Sequence, residues 1–297
     1  MTNPLGETVQ TSDTTGAARF SVSSATREEW RLVAEWCAAE GWNPGDGDAE
    51  CFHPTDPAGF FIGRLDGEPV SSISVVNYSD EYAFLGYYVV RPDLRGQGWG
   101  LATWRAAFPH AGNRLVGLDA VPAQQDNYQR SGFSPAYGTV RYGGVPQRVD
   151  VVDEGVTPIT AQDLEAIAEY DRDCFPADRR AFLSRWLTAP GHIAHARWRD
   201  GRVTGYGVIR PGRDSHRIGP LFADTAPDAA AVLDGLTAHL GPTDEVAVDM
   251  PQTQEAAAAL ATDRGLTAQF PTVRMYTGPA PQIRADRVFG VTTLELG

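Results

Sequence analysis

A repeat constrains this chain more than any other feature of its sequence. Gly86 and Gly219 stand 133 residues apart, as do Gly132 and Gly265. The tripeptide Thr139-Val140-Arg141 returns as Thr272-Val273-Arg274 at the same offset. The turn pair Asp66-Gly67 meets Asp200-Gly201 at 134. One offset held at separated anchors means two copies of one supersecondary unit, so the two halves must share a fold. At 297 residues the chain is long for one domain and comfortable for two. The boundary is expected around 153–158, with one unit over 19–153 and the other over 154–297.

Residues 1–18, rich in Thr, Ser and Gly without an apolar run or early positive charge, predict a disordered tail and not a signal peptide. Thr26 with Glu29 is a capping-box pattern, and Trp30, Val33, Ala34 and Cys37 fall on one face of the helix behind it. Residues 59–66 and 68–78 read as strands of a hairpin turning at Asp66-Gly67, and 81–91 as a third strand. A turn over 92–97 leads to a helix from about Gly98 to Ala111. A strand over 114–121 follows, then a short helix over 123–131 ended by Gly132, then two strands reaching Val152. Pro158 and Thr160 begin a helical stretch running to about Ala189, after which the strand–strand–strand–helix–strand–helix–strand order recurs. The fold class is α/β, of the α+β kind.

All 25 cationic side chains are arginine, and the absence of lysine excludes a Walker A loop, a protein kinase and a Schiff-base enzyme. A net charge of −13 argues against a nucleic-acid partner and mildly favours amine ligands. Three widely spaced cysteines, Cys37, Cys51 and Cys174, fit reduced thiols in a cytoplasmic protein. No run approaches the roughly 20 apolar residues of a membrane span. His192 and His195 lie in an expected strand without a third ligand, so no metal is expected. The sequence says nothing of oligomeric state.

The chemistry lies in the turn Pro92-Asp93-Leu94-Arg95-Gly96-Gln97-Gly98-Trp99-Gly100. Glycines at alternate positions let backbone N–H groups face inward, and the helix behind adds its dipole, so the turn suits a pyrophosphate. Arg95, with Arg91 beside it, adds positive charge. Two other readings are a bare tight turn and a dinucleotide-binding loop. The latter wants a βαβ unit, whereas this turn follows an antiparallel-looking meander.

Twenty-eight residues after Gly100, Asn127-Tyr128-Gln129-Arg130-Ser131-Gly132-Phe133 places a tyrosine on the short helix. With Arg95-x-x-Gly98-x-Gly100 after Val89-Val90, this element makes the chain resemble the GNAT superfamily of acyl-CoA-dependent N-acyltransferases over about residues 20–297. It looks like the tandem type, an active N-terminal domain followed by a degenerate GNAT-like one. The resemblance implies two mixed, mainly antiparallel twisted sheets flanked by helices. It implies that the backbone of Tyr88, Val89 and Val90 holds the pantetheine arm and supplies an oxyanion N–H. Arg95, Gly96, Gln97, Gly98, Trp99 and Gly100 would take the pyrophosphate, with Asn127 reaching cofactor or substrate. Tyr128 would be the general acid for the departing thiolate. The base is not identified by the sequence: Asp119 is the first candidate, beside a plainer role bonding the loop 120–125, and Glu81 and His53 follow. Gln124 and Gln125 would line an acceptor pocket or face water.

At the 133 offset, Arg91, Arg95, Gly98 and Gly100 fall on Asp224, Asp228, Ala231 and Leu233, while Asn127 and Tyr128 fall on Leu260 and Ala261. The second copy has exchanged attraction for repulsion and lost its acid, so it is expected to be a structural partner and a wall of the acceptor pocket. The pair Asp119 and Asp249, 130 apart, shows that small gaps separate the anchors. The expected function is acetyl transfer from acetyl-CoA to a primary amine of a small molecule, by direct attack in a ternary complex. The alternatives are a longer acyl-CoA or carrier-protein donor, a protein acceptor, and a non-catalytic acyl-CoA sensor.

Overall fold

The computed structural model describes residues 19–149 and 153–297. The expected tail and residues 150–152 of the expected boundary region lie outside the described residues. The first half runs β1 (Phe20–Ser24), α1 (Arg27–Ala39), α2 (Asp48–Phe52), β2 (Phe60–Leu65), β3 (Glu68–Asn77), β4 (Tyr82–Val90), α3 (Trp99–Ala107), β5 (Leu115–Ala120), α4 (Gln125–Arg130) and β6 (Ser134–Gly144). The second runs β7 (Val156–Pro158), α5 (Leu164–Cys174), α6 (Arg180–Trp186), β8 (Ile193–Arg199), β9 (Arg202–Arg210), β10 (His216–Ala223), α7 (Ala226–Thr237), β11 (Val246–Pro251), α8 (Glu255–Asp263), β12 (Thr267–Tyr276) and β13 (Val288–Gly290).

Local signals produce these elements. Thr26 Oγ1 accepts the Glu29 N–H at 3.2 Å while Glu29 accepts the Thr26 N–H at 2.8 Å, which closes the capping box of α1. Asp66 and Gly67, both with positive φ, form the two-residue turn between β2 and β3. One expectation needs correction. After α4 there is one long strand, not two, and 145–149 form none. The helical stretch after Pro158 is divided into two helices. Pro176 drives Phe175 into extended backbone at φ −128°, ψ 141°, which ends α5.

All strands join one sheet in the order β1-β2-β3-β4-β5-β12-β6-β11-β10-β9-β8-β7, with β13 against β10. The last strands of the two halves have changed places: β12 lies beside β5, and β6 lies beside β11. A boundary at 153/154 therefore divides the chain but not the sheet. The repeated Thr-Val-Arg tripeptide pins the exchange. Arg274 of β12 donates to both oxygens of Asp119 on β5, at 2.9 and 2.7 Å. Arg141 of β6 donates to both oxygens of Asp249 on β11, at 2.7 and 3.1 Å. Each pair sits directly opposite in register, so the exchange is fixed by charge as well as by the ladder. Asp249 also accepts from Arg217 of β10. Burial works against its ionisation, but Arg141 and Arg217 together bring its pKa down to about 2.

Two further contacts seal the halves. Phe52 stacks obliquely on Phe182 at 4.5 Å and edge-on to Trp186 at 5.3 Å. Arg210 and Asp48 form a buried pair at 2.6 and 3.0 Å. Among the described residues no helix is long and apolar enough to cross a membrane.

Each half has a parallel strand pair that parts. β4 and β5 are paired only from Tyr82↔Leu115 to Phe84↔Gly117, so residues 85–90 of β4 have no strand partner on that side. β10 and β11 are paired from His216↔Val246 to Ile218↔Val248. There the gap is closed, because β13 pairs with β10 at Leu221↔Gly290 and Phe222↔Val288. The segment after β13 then crosses toward the first half. A Cβ on Gly219 would lie 2.2 Å from Thr292 O, and one on Gly86 would lie 1.6 Å from Glu295 O. The first pair of repeat anchors is thus glycine because residues 291–297 press onto β10 and then onto β4.

Candidate active site

The first half's open gap begins at a bulge. Ser72 of β3 pairs with Val89 and Ser74 with Gly86, so Tyr87 and Tyr88 face Ile73 alone. Tyr87 is held at φ 48°, and Ser72 Oγ donates to its carbonyl at 2.8 Å. The bulge turns the β4 backbone into a cavity of about 590 Å³. Tyr88, Val89, Val90, Asp119, Gln124 and Tyr128 line it, with Arg95 at its edge. The second half adds Phe270, Thr272, Leu294 and Glu295, and β6 adds Arg141.

Tyr128 reaches the cavity from α4. Its ring packs on Trp104 at 5.8 Å and on Phe133 at 6.2 Å. Burial pushes its phenol pKa well up, and pushes that of Tyr88 up to about 12, so both are protonated at neutral pH.

The glycine turn lies at the end of the gap. Gly96 has φ 76° and Gly98 φ 90°, and a Cβ on either would meet nothing within 4 Å. They are glycine for backbone conformation, and they leave open space before the N-terminus of α3, which Gly98 caps. Gly100 serves packing: a Cβ there would lie 2.9 Å from the Tyr88 hydroxyl and from Val90. Arg95 donates through Nε to the Val90 carbonyl at 2.9 Å and through its other arm to Glu40 at 2.5 Å. Arg91 pairs with Asp93 at 2.8 Å. Trp99 stacks on Phe20 at 5.0 Å, and Gln97 accepts from its indole N–H at 3.3 Å.

Other sequence candidates lie elsewhere. Asn127 is exposed, donating to Gln124 at 2.6 Å and accepting from Arg130, and it is not part of the cavity wall. Gln125 is also outside it. Glu81 precedes β4 at the closed end of the gap, where its carbonyl accepts the Leu115 N–H at 2.9 Å. His53 stacks on Phe60 at 5.1 Å, away from the cavity. Asp119 is in the wall, yet Arg274 holds both its oxygens and no loop N–H reaches them among the described residues. Burial raises its pKa despite the Arg274 charge. Sequence reading missed Trp42, Phe270 and Glu295, which come from remote segments with no motif to mark them.

In the second half the gap is plugged by β13, and the helix N-terminus carries its own anion. Asp228, fully buried in the first turn of α7, accepts from Arg197, from Arg199 at 2.8 Å and from Thr204 at 3.0 Å. The ungapped alignment needs correction here. Only Asp224 and Thr225 separate β10 from α7, against 91–98 between β4 and α3, so Ala231 and Leu233 lie inside the helix. The loop is shortened, and not merely substituted. His192 precedes β8 and does not lie in it; its Nδ1 is 2.8 Å from the Trp186 carbonyl oxygen. His195 stacks on His239 at 5.3 Å. No group of three or more potential metal ligands occurs among the described residues.

Known proteins match this chain in sequence and in fold. The acetyltransferase (GNAT) family model matches residues 25–133, and an acetyltransferase (GNAT) domain model matches 167–290. The holothin acyltransferase of Pseudoalteromonas sp. (strain SANK 73390) is 36% identical over 274 residues, covering 92% of this chain and 93% of that protein. Among solved structures, a candidate acetyltransferase from Pyrococcus horikoshii superposes with a TM-score of 0.79 at 20% identity, covering 94% of this chain and 96% of that one. A tandem GNAT protein from the clavulanic acid biosynthesis pathway superposes with a TM-score of 0.60 at 15% identity, covering 88% and 99%. The chain therefore belongs to the GNAT family, as an acyl-CoA-dependent acyltransferase built from two tandem GNAT domains.

Proposed function

We propose that this enzyme transfers an acetyl group from acetyl-CoA to a primary amine of a small molecule, in the cavity of the first half. The open gap beside β4, against its plugged counterpart, carries this reading. The unpaired edge of residues 85–90 offers backbone groups to a pantetheine arm, and a bulge N–H would bind the thioester oxygen as negative charge develops there. The Gly96–Gly98 turn and Arg95 would take the pyrophosphate. The amine nitrogen attacks the thioester carbon, the C–S bond breaks, and Tyr128 gives its proton to the sulfur. We assign Asp119 to holding β12 in place, since Arg274 occupies both its oxygens. The buried, unpaired cysteines fit a reducing cytoplasm.

A longer acyl donor is the second reading, favoured by a relative whose name specifies acyl and not acetyl transfer. The test is CoA thiol release from acetyl-, butyryl- and octanoyl-CoA, with holothin and a panel of primary amines as acceptors, followed by product mass. Fastest release from acetyl-CoA with an amine supports the proposal. Faster turnover of longer chains selects the second reading, and no release with any pair overturns both.

One variant tests the cradle. Gly98→Val places a side chain at φ 90° and projects it into the open space before α3. Acetyl-CoA affinity measured by calorimetry is expected to fall by about tenfold or more, with the backbone strain of about 1–2 kcal/mol read separately as a lower Tm.

A further inference from the structure

The segment that plugs the second half's gap does not stop there. Beyond β13 it lays Leu294 and Glu295 into the first half's cavity wall, with the Glu295 backbone resting on Gly86 where the β4 bulge begins. It is anchored on both sides. Arg179 donates to Thr292 Oγ1 at 2.8 Å, the Thr293 hydroxyl accepts the Leu296 N–H at 2.9 Å, and Tyr78 donates to the Leu296 carbonyl at 2.6 Å. Glu295 is only 6% exposed, yet its carboxylate accepts no hydrogen bond among the described residues. A largely buried carboxylate held by no donor is costly to ionise and keeps its lone pairs free to take a proton.

We propose that Glu295, delivered to the first half's cavity by the segment after β13, is the general base that takes the proton from the attacking amine. This deepens the acyltransferase reading and rests on it. As the C–N bond forms and the C–S bond breaks, the nitrogen's surplus proton passes to the Glu295 carboxylate, directly or through one water, while Tyr128 protonates the sulfur. Glu295 then releases its proton to solvent and Tyr128 regains one, so the cycle closes.

The surroundings suit the role. Arg217 of β10 and Arg141 of β6 face Glu295, as do Asp249 of β11 and Asp48 of α2, with Cys37 of α1 and Tyr87 of β4 also near. Burial, the larger influence, raises the carboxyl pKa, and the two arginines oppose it. A carboxylate raised toward neutrality is a better proton acceptor than an ordinary one. Asp119 and Asp249, by contrast, each have both oxygens taken by arginine.

A plainer role would be neutralising the spare positive charge of Arg141 and Arg217 beside Asp249. The pH profile of Glu295→Gln separates the two, since the variant keeps shape while losing charge and basicity, and only a base leaves an acidic limb to lose. With acetyl-CoA and holothin, or the best amine of the panel, kcat/KM is expected to fall by about 10²–10³-fold. A base must be deprotonated to act, so wild-type kcat/KM falls as pH drops through the raised Glu295 pKa, and the variant loses that acidic limb. Acetyl-CoA affinity should stay within about threefold, because pantetheine contacts are untouched. Glu295→Asp should restore part of the rate and the limb. A variant with wild-type kcat/KM, or one slowed with its acidic limb intact, overturns the Glu295 assignment alone. A wild-type protein that releases no thiol with any donor and acceptor overturns the assignment together with the function.

Discussion

Replacing Tyr128 by Phe is expected to lower kcat by about 10²–10³-fold while leaving the KM for acetyl-CoA within about threefold. The substitution removes one oxygen and keeps the ring against Trp104 and Phe133, so α4 and the cavity wall should stay in place. A thiolate leaving without a proton donor has to be expelled as an anion into a cavity walled largely by apolar and aromatic groups, and that is the missing stabilisation. Burial pushes the Tyr128 pKa up, so the phenol stays protonated through the ordinary range and contributes no alkaline limb below pH 9 or so. Steady-state thiol release over pH 6–9, with circular dichroism as a folding control, checks the result. An unchanged kcat would remove Tyr128 from the chemistry. Tyr88 also lines the cavity and faces Tyr128, its pKa raised by burial to about 12, and Tyr88→Phe would then be the next variant.

The second large effect is on stability. Arg274→Ala leaves Asp119 buried beneath β12 with no cation, which is expected to lower unfolding free energy by about 3–5 kcal/mol. The two side chains are 6% and 1% exposed, so water cannot replace the guanidinium. The double change Asp119→Leu with Arg274→Met removes both charges and should recover most of that loss, since an apolar pair carries no desolvation penalty. Arg141→Ala should be milder, because Asp249 keeps Arg217. Urea unfolding of the four proteins reads the differences directly. Equal losses for the single and double variants would mean that strand packing, and not the ion pair, fixes the exchange.

The exchange also changes how the halves can be studied. A fragment ending near 153 keeps β6 but loses β12, so β5 is left with an exposed edge and Asp119 without its arginine. Binding measurements on isolated halves would report on that damage. Substitutions in the intact chain are the sounder route.

Much of this was legible in the residues themselves. The 133-residue period fixed two copies of one unit, because identical local chemistry must fold alike. Alternating glycines before a helix marked the turn we propose as the pyrophosphate cradle, since backbone free of Cβ can present N–H groups there. Tyr128 and its Gly132-Phe133 cap were visible for the same local reason. Asp66-Gly67 and the Thr26 box were legible because turns and caps are built from neighbours in sequence.

What needed the tertiary structure was every decision made between distant residues. Arg141 and Arg274 read as matching members of a repeat, but nothing local says that each binds the other half's aspartate. Gly86 and Gly219 read as anchors, but their reason is a segment more than seventy residues beyond the second of them. Glu295 sits in an unremarkable stretch, and only the path of the chain over β10 and β4 brings it to the cavity wall. Sequence determined which units form, because that is settled by short-range sterics and hydrogen bonding. Which strand fills which gap, and which carboxylate is left without a hydrogen-bond donor, was decided by packing across the sheet.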